Sequence, residues 1–329
     1  MERTRGGLGP GDVGHRVVVR RYVGVGPTGR PLFTDLLGEL LAFDEHRLLV
    51  RAEDGSEHTI AGRDVTAAKR VGPRPARYSE IVALERAADE AWPAPVHERL
   101  GDWFLRAAQG WTSRANSALP LGDPGRPLTD AIDACEAWYR GRGLTPRVSV
   151  PLPLRRDVAE ALSVRNWHAQ PPVLVQTAPL TSAPSIPSAN PPSMEPGPHL
   201  LPAPSREFLA LVGARKAGLP PAALEVLAGP PMVRFAEIRG SGGALLAGAR
   251  GAVVGDGSWL HVSLVEVVAD ARRRGLARRI SLALMEWAGG LGATRAVLQV
   301  EEHNAAAVAL YRGLGFANHH RYVTYAGRP

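Results

Sequence analysis

Cysteine is almost absent from this chain of 329 residues, whose single thiol is Cys135. One cysteine excludes an internal disulfide framework and a zinc cluster built from cysteines. The sequence also lacks any apolar run approaching the roughly 18 residues that a membrane-spanning helix needs. No apolar segment follows the first residues either, so we expect a soluble cytoplasmic protein that makes no membrane contact.

Lysine is nearly as scarce, because 37 of the 39 basic residues are arginine. Together with 36 glycines and 29 prolines, this bias is typical of a bacterial genome rich in G and C. The net charge of +7 indicates a polyanionic ligand only where the arginines cluster. They cluster once, with five arginines at positions 272–279.

Residues 10–74 have the pattern of a small all-β module. Short apolar runs at 17–22, 35–41 and 47–51 alternate with turn residues, and Asp54-Gly55 favours a tight hairpin. Two further runs complete five predicted strands, and the module resembles an SH3-like barrel. A module that stabilises its neighbour by packing is the favoured interpretation, and binding of a partner or of nucleic acid is the alternative.

The rest of the chain alternates helices and strands around a proline-rich segment. Nine prolines among the 26 positions 179–204 predict a linker. The flanking parts predict an α/β (α+β) chain of mixed sheets with flanking helices. The helices are predicted at 79–90, 128–141, 157–162, 206–216, 222–227, 276–288 and 304–313, and the strands at 147–150, 173–176, 233–239, 244–254, 259–268, 296–300 and 322–325.

The two parts match each other at an offset of 149 to 150 residues, with Trp138 corresponding to Trp287. We interpret this match as a duplicated unit. In the first copy, residues 111–117 are predicted to form a strand that is polar on both faces. Such a strand is unusual inside a covered sheet. It fits either the wall of a substrate site facing the second copy or an edge strand exposed to water.

One segment, 265–279, has the pattern of an anion-binding turn. A predicted strand runs into a turn that opens a helix, whose first amides lack intrahelical acceptors and lie at the positive end of the helix dipole. Gly275 has no side chain and Ala277 a small one, so phosphate oxygens can reach the backbone. The clustered arginines add charge-assisted donors. Taken alone, an arginine-rich helix start is more often a solvated surface.

Two motifs in this part resemble those of a known family. Arg272-x-x-Gly275-x-Ala277 matches the pyrophosphate-binding motif of the GNAT acyl-CoA-dependent N-acetyltransferases, and residues 300–316 match the family's second signature. The chain resembles actinobacterial GNAT proteins with an SH3-like module and a degenerate first repeat. The segments that this resemblance implies are an SH3-like β-barrel at 10–74, a degenerate GNAT-like repeat at 76–178, a linker at 179–204 and a catalytic GNAT domain at 205–329.

The resemblance also implies which residues bind acetyl-CoA. Backbone amides at Val267 and Val268 would hold the pantetheine arm, and Asn304 would contact the cofactor, cap its helix, or do both. The first repeat lacks the phosphate motif and has prolines in the corresponding loop, so we expect it to bind no coenzyme A. The residues expected to bind acetyl-CoA are Val267, Val268, Arg272, Arg273, Arg274, Gly275, Leu276, Ala277, Arg278, Asn304, Ala307 and Tyr311.

Catalysis is assigned to Tyr311 and Glu266. A phenol has a pKa of about 10 and a thiol one of about 8.5, so Tyr311 stays protonated and can act as hydrogen-bond donor to the departing thiolate. Glu266 is the candidate general base, and a structural hydrogen-bonding role is its alternative. Glu237 and His261 are weaker candidates for the base. The remaining histidines lack the spacing of metal ligands, so we expect no metal site.

The function favoured by the sequence is an acetyl-CoA-dependent N-acetyltransferase. Its acceptor is expected to be a primary amine of a small molecule or peptide, which attacks the thioester directly. The alternative from another class is a non-catalytic coenzyme A sensor or partner-binding protein. Nucleic-acid binding through the SH3-like module predicts affinity that falls steeply with salt, and we do not expect it. The sequence leaves open whether the protein forms a homodimer.

Overall fold

The computed structural model describes residues 7–44, 46–72, 74–180, 197–215 and 218–328. The chain divides into two compact units, Met1–Pro75 and Ala76–Pro329. Within the described residues, no helix is both long and apolar enough to cross a membrane.

The first unit is a five-stranded antiparallel sheet. Its strands lie in the order β4-β3-β2-β1-β5, and alternate residues such as Val17, Val19 and Val50 form its core. The five predicted strands are therefore confirmed. Among the described residues β4 and β5 remain the two edges of the sheet, so the closed barrel stays a prediction. The strands are β1 (Arg16–Val25), β2 (Pro31–Phe43), β3 (Arg47–Ala52), β4 (Glu57–Ala61) and β5 (Val65–Arg70).

The second unit contains the remaining elements. Its helices are α1 (Tyr78–Glu90), α2 (Leu128–Arg140), α3 (Arg156–Val164), α4 (Arg206–Arg215), α5 (Pro221–Ala228), α6 (Leu276–Gly290) and α7 (Ala305–Arg312). Its strands are β6 (Val96–Leu100), β7 (Trp103–Ala107), β8 (Leu119–Pro120), β9 (Arg147–Leu152), β10 (His168–Ala169), β11 (Val173–Pro179), β12 (His199–Leu201), β13 (Val233–Arg239), β14 (Leu245–Val254), β15 (Trp259–Val267), β16 (Arg295–Glu301) and β17 (Ala317–Ala326). We call residues 76–180 the earlier half and residues 197–328 the later half.

The two halves share one large sheet. Its strands follow the order β17-β11-β16-β15-β14-β13-β12, and β9 and β10 both pair with β17. Strand β11 of the earlier half lies between β16 and β17 of the later half, and β17 pairs with β9 of the earlier half. Each half therefore contributes a strand to the other, and neither half completes its sheet alone.

The order of elements repeats between the halves. Helices α2 and α6 begin at Leu128 and Leu276, and strands β9 and β16 begin at Arg147 and Arg295, in both cases 148 residues apart. The earlier half also brings β8 and β9 together through a parallel bridge between Ala118 and Val148, as β15 and β16 are joined in the later half. The spacing is one to two residues shorter than the offset of the sequence match, and the duplicated unit stays a prediction.

The segment 111–117 is not the strand that the sequence predicted. It contains a turn followed by a 3-10 helix at Arg114–Asn116. The cause is the side chain of Asn116, whose oxygen accepts from the amides of Ala108 and Gly110 and whose nitrogen donates to the carbonyls of Trp111 and Thr112. One amide side chain thus satisfies backbone groups that a strand partner would otherwise bind.

The predicted linker is described only at its ends. Residues 181–196 lie outside the described residues. At its start Pro179 ends β11, and near its end His199–Leu201 form β12, which pairs with Phe235–Glu237 of β13 at the edge of the sheet. The division into segments at 76–178, 179–204 and 205–329 therefore stays a prediction.

A buried arginine connects the two halves. Arg250 of β14 is fully buried and donates to the carbonyl of Leu227 at 2.7 Å and to that of Ala91 at 2.9 Å. Ala91 follows the last residue of α1, and Leu227 lies in the last turn of α5. A cation suits both positions because helix C-termini carry unpaired carbonyls and partial negative charge. Burial lowers the pKa of Arg250 to about 9, which leaves it charged at neutral pH.

We predict that Arg250→Met destabilises the second unit by about 3 kcal/mol, because buried carbonyls lose their donor. Urea unfolding followed by tryptophan fluorescence measures the change. The exposed Arg126 provides the control, and Arg126→Met should unfold like the wild type. Equal stability of the two variants would contradict this role of Arg250.

Candidate active site

The shared sheet opens between β15 and β16. The two strands pair in parallel only from Trp259–Val262 on one side to Arg295–Leu298 on the other. Beyond that point β15 continues to Val267 against β14, whereas β16 continues to Glu301 against β11. The strands diverge, and their unpaired edges face an opening in the middle of a rigid sheet.

A bulge in β15 marks the point of divergence. The pairing of β15 with β14 shifts register between Ser263 and Glu266, and Leu264 has a φ of 51°. Such a bulge increases the local bend of the strand. The amide of Val268 donates to Leu246 of β14 at 3.0 Å. Because N–H groups alternate along a strand, the amide of Val267 points away from β14, toward the opening.

The predicted phosphate turn follows β15. Gly275 has a φ of 76° and precedes α6 as its N-cap, and Arg273 has a φ of 64°. A Cβ built on Gly275 would meet no atom within 4 Å, so the outer side of the turn is open space. Arg272, Arg273 and Arg274 are exposed, and the next residue, Leu276, is buried in the core and fixes the start of the helix.

Arg272 and Arg278 also form hydrogen bonds within the protein. Arg272 Nε donates to the carbonyl of Val267 at 3.4 Å, and Arg278 Nη1 donates to that of Gly313 at 2.9 Å. Gly313 is the C-cap of α7, where a cation is favourable. Arg278 therefore connects the first turn of α6 with the end of α7.

Helix α7 contributes three side chains to a cavity of about 500 Å³ at the opening. Asn304, Ala307 and Tyr311 line it together with Glu266 of β15. The side chain of Asn304 accepts from the amide of Ala307 at 3.2 Å, so its predicted role as a helix cap is confirmed. Tyr311 is 8% exposed and packs its ring edge-on against Phe316.

Glu266 and Tyr311 interact electrostatically. The carboxylate of Glu266 forms an ion pair with Arg215 at the end of α4. Burial, and next the negative charge of Glu266, raise the pKa of Tyr311 to about 12, against a smaller opposing effect of Arg215. At neutral pH Tyr311 is therefore a fully protonated phenol that can donate a hydrogen bond.

The end of the cavity near Arg114, here called the far end, is lined by residues of both halves. These are Thr112, Ser113 and Arg114 of the earlier half and Tyr322 and Thr324 of β17 in the later half. The segment 111–117 is thus no edge strand, and its residues 112–114 share a cavity with residues of the later half; its role as the wall of a substrate site stays a prediction. The cavity lining also contains Arg114 Nε and, from β16, Gln299 Nε2, which are buried without a hydrogen-bond partner within the described part of the chain.

The structure brings some predicted residues together and separates others. Glu266, Asn304, Ala307 and Tyr311 share the cavity, and so does His261. The turn at 272–275 lies at the start of α6, and its residues do not line the cavity. Glu237 is elsewhere, where it binds the amide of Ser205 and the guanidinium of Arg239.

Several residues of the cavity were not predicted from the sequence. Trp92 and Tyr322 occur in apolar patterns that indicate core residues, and Gln170 occurs between two short strands. The polar run at 112–114 was the one available signal, since it is unusual for a covered segment. No group of three or more histidine, cysteine or carboxylate side chains in the described ranges is placed to hold a metal ion.

The fold and site agree with comparisons to known proteins. The family model described as "Probable histone acetyltransferase Rv0428c C-terminal" matches residues 78–325. The chain is 33% identical over 325 residues to the probable histone acetyltransferase Rv0428c of Mycobacterium tuberculosis, covering 94% of this chain and 95% of the relative. It is 28% identical to the uncharacterized N-acetyltransferase YobR of Bacillus subtilis, covering 74% of this chain and 98% of the relative.

A solved structure shows the same fold. A GCN5-related N-acetyltransferase from Kribbella flavida superposes with a TM-score of 0.57 at 16% identity, covering 78% of this chain and 97% of that one. The opening in the sheet and the turn before α6 thus belong to an N-acetyltransferase of the GNAT type. Within that class, the chain belongs to the family of the Rv0428c C-terminal region.

We predict that Glu266→Gln lowers the pKa of Tyr311 from about 12 toward the ordinary phenol value, because a neighbouring negative charge is removed. Protein labelled with ¹³C at the tyrosine Cζ reports the titration, and the Tyr311→Phe spectrum assigns the signal. The exposed Glu302 provides the control, since Glu302→Gln should leave the titration unchanged. An unchanged pKa in Glu266→Gln would show that the two groups are not coupled.

Proposed function

We propose that the protein transfers an acetyl group from acetyl-CoA to a primary amine. The observation that supports this most strongly is a protonated phenol, Tyr311, in a cavity where β15 and β16 diverge, together with a glycine turn with exposed arginines that follows β15. Acetyl-CoA supplies an acyl group activated as a thioester. A coenzyme A metabolite of this kind also suits the cytoplasmic location that we propose.

The turn and the strand edge suit acetyl-CoA. The first amides of α6, at Leu276, Ala277 and Arg278, have no intrahelical acceptor, and the open space beside Gly275 lets an anion approach them. We assign the pyrophosphate to these amides and to Arg272, Arg273 and Arg274. Along β15 we assign the pantetheine arm to the amide of Val267, since that of Val268 is bound to β14. Asn304 and Ala307 complete the site from α7.

Tyr311 is proposed as the donor to the leaving sulfur. A thiol with a pKa of about 8.5 is a stronger acid than this phenol, so full proton transfer to the thiolate is unfavourable unless the same environment also raises the thiol's pKa. The negative charge of Glu266 acts in that direction on any group beside Tyr311. We therefore propose that Glu266, which is bound to Arg215, raises the pKa values of the groups at this end of the cavity.

The acceptor site is proposed to lie at the far end, against residues 112–114 of the earlier half. This gives the degenerate repeat a function as the wall of the acceptor site, without coenzyme binding of its own. The name of the mycobacterial relative makes a lysine side chain of a histone-like protein the first acceptor to test. Release of coenzyme A in the presence of a synthetic histone-tail peptide, spermidine, an aminoglycoside or free amino acids tests the activity. Binding of acetyl-CoA without turnover on any of them would favour a sensor instead.

We predict that Tyr311→Phe lowers kcat by about 10²- to 10⁴-fold because the leaving sulfur loses its donor. The dissociation constant for acetyl-CoA should stay within about threefold, since the ring and its packing remain. Steady-state coenzyme A release and calorimetry measure the two quantities. Tyr78, which is 59% exposed on α1, gives the control variant Tyr78→Phe with unchanged kinetics. Turnover of Tyr311→Phe equal to the wild type would remove Tyr311 from the mechanism.

We also predict that replacing the three arginines at 272–274 by glutamine weakens acetyl-CoA binding by about 10- to 100-fold, because charge-assisted hydrogen bonds to phosphate are lost. Calorimetry at two salt concentrations measures this, and the wild type should show the steeper salt dependence. A control with the same change in net charge replaces Arg20, Arg21 and Arg30 of the first unit. If both triple variants bind acetyl-CoA equally, the turn does not bind the phosphates.

A further inference from the structure

His261 is a buried cavity residue whose chemistry the proposed function leaves unexplained. It is 2% exposed, lies in β15 and lines the same cavity as Tyr311. Neither Nδ1 nor Nε2 has a hydrogen-bond partner among the described residues. Buried polar groups are nearly always hydrogen-bonded, so an imidazole without partners beside a cavity indicates a group that binds something in the cavity.

The surroundings of His261 keep its ring neutral. Burial contributes most, and the guanidinium groups of Arg114 and Arg250 add to it, so that the pKa of His261 is held well below its usual value. The carboxylate of Glu85 lies 3.6 Å from Arg114 Nη2 and 2.9 Å from His320 Nε2. From β17, Tyr322 lines the cavity as an uncharged phenol whose pKa is raised by burial.

We infer that His261 is the general base that takes the proton from the acceptor amine during acetyl transfer. The inference rests on the proposed function. It assigns a residue to the removal of the amine proton, the step for which the catalytic group is least defined. In that step the amine nitrogen forms a bond to the acyl carbon, and the bond between that carbon and sulfur breaks. The nitrogen's proton passes to the free imidazole nitrogen, and Tyr311 provides the proton for sulfur. Water returns the proton from His261 to Tyr311, so the enzyme is unchanged.

The arrangement favours His261 over Glu266 as the base. The carboxylate of Glu266 is already bound by Arg215 and lies at the end of the cavity that contains Tyr311. His261 lies within electrostatic reach of Arg114, whose charge lowers its pKa, and Arg114 belongs to the segment against which the acceptor is proposed to bind. A weak base suffices, because the nitrogen carries positive charge once its bond to carbon has formed and is then far more acidic than a free ammonium group.

The first test compares His261→Gln with the wild type on a synthetic histone-tail peptide and on spermidine, and also follows the slow hydrolysis of acetyl-CoA by water. We expect kcat to fall by about 10²- to 10⁴-fold with acetyl-CoA affinity unchanged, and the deficit to shrink as pH rises and hydroxide replaces the base. His199, exposed on the edge strand β12, gives the control His199→Gln, which should behave like the wild type. A loss below about fivefold, or one that is equal at every pH, would overturn the assignment.

The second test asks whether an added imidazole restores the function. His261→Ala opens space beside the cavity, and imidazole in solution should raise its turnover by about tenfold or more, whereas it should not rescue Tyr311→Phe. A purely structural role of His261 predicts no rescue. Thermal unfolding of both His261 variants shows whether they fold. NMR of the wild type tests the protonation state of His261 without any variant.

The third test measures the protonation state of His261 directly. In protein labelled with ¹⁵N-histidine, the His261 signal should be that of a neutral ring throughout the range where ordinary histidines titrate. Titration at the ordinary value would contradict the inference. If calorimetry shows no binding of acetyl-CoA to the wild type, or if acetyl-CoA reacts neither with any tested amine nor with water, the proposed function itself fails. If the wild type binds and turns over while His261→Gln is as active, only the role of His261 fails.

Discussion

The pairing of β11 with β16 is the contact on which the active site depends. A strand from the earlier half occupies the edge of β16 that faces away from β15, and the register Val175 to Gln299 fixes its position. Because β16 is held on that side, its divergence from β15 after Leu298 leaves a stable opening in the sheet, where a free strand would close it by pairing. The opening thus lies within one sheet to which both halves contribute strands.

The buried guanidinium of Arg250 connects stability with chemistry. Its hydrogen bonds to Ala91 and Leu227 hold the ends of two helices, one from each half, and its ring-facing contact with Trp92 lies beside the cavity. The same charge disfavours a proton on His261. A substitution at this position would therefore change both the folding free energy and the protonation of the site, and separate measurements of the two are needed to interpret it.

Local features were predictable from the sequence, and long-range pairing was not. The turn at Gly275, the start of α6 and the cap at Asn304 depend on a few adjacent residues, whose types indicate the backbone geometry. The segment 111–117 was wrongly predicted as a strand because its shape is set by one side chain, Asn116, and not by hydropathy. Strand β11 pairs with residues of β16 that are more than a hundred positions away in the chain. The periodicity of the sequence does not indicate which distant strands pair.

The environments at the two ends of the cavity shift the pKa values of their residues in opposite directions. Burial, and next the negative charge of Glu266, raises the pKa of Tyr311, whereas burial, and next the positive charges of Arg114 and Arg250, lowers the pKa of His261. Titratable groups whose environments move their pKa values apart in this way are suited to act as an acid and a base at one pH. The same field favours loss of a proton from an amine at the positive end and gain of a proton by sulfur at the negative end. In the proposed function, these opposed charges favour proton movement in the direction that acetyl transfer requires, with Arg114 and Arg250 supplying the positive charge and Glu266 the negative charge.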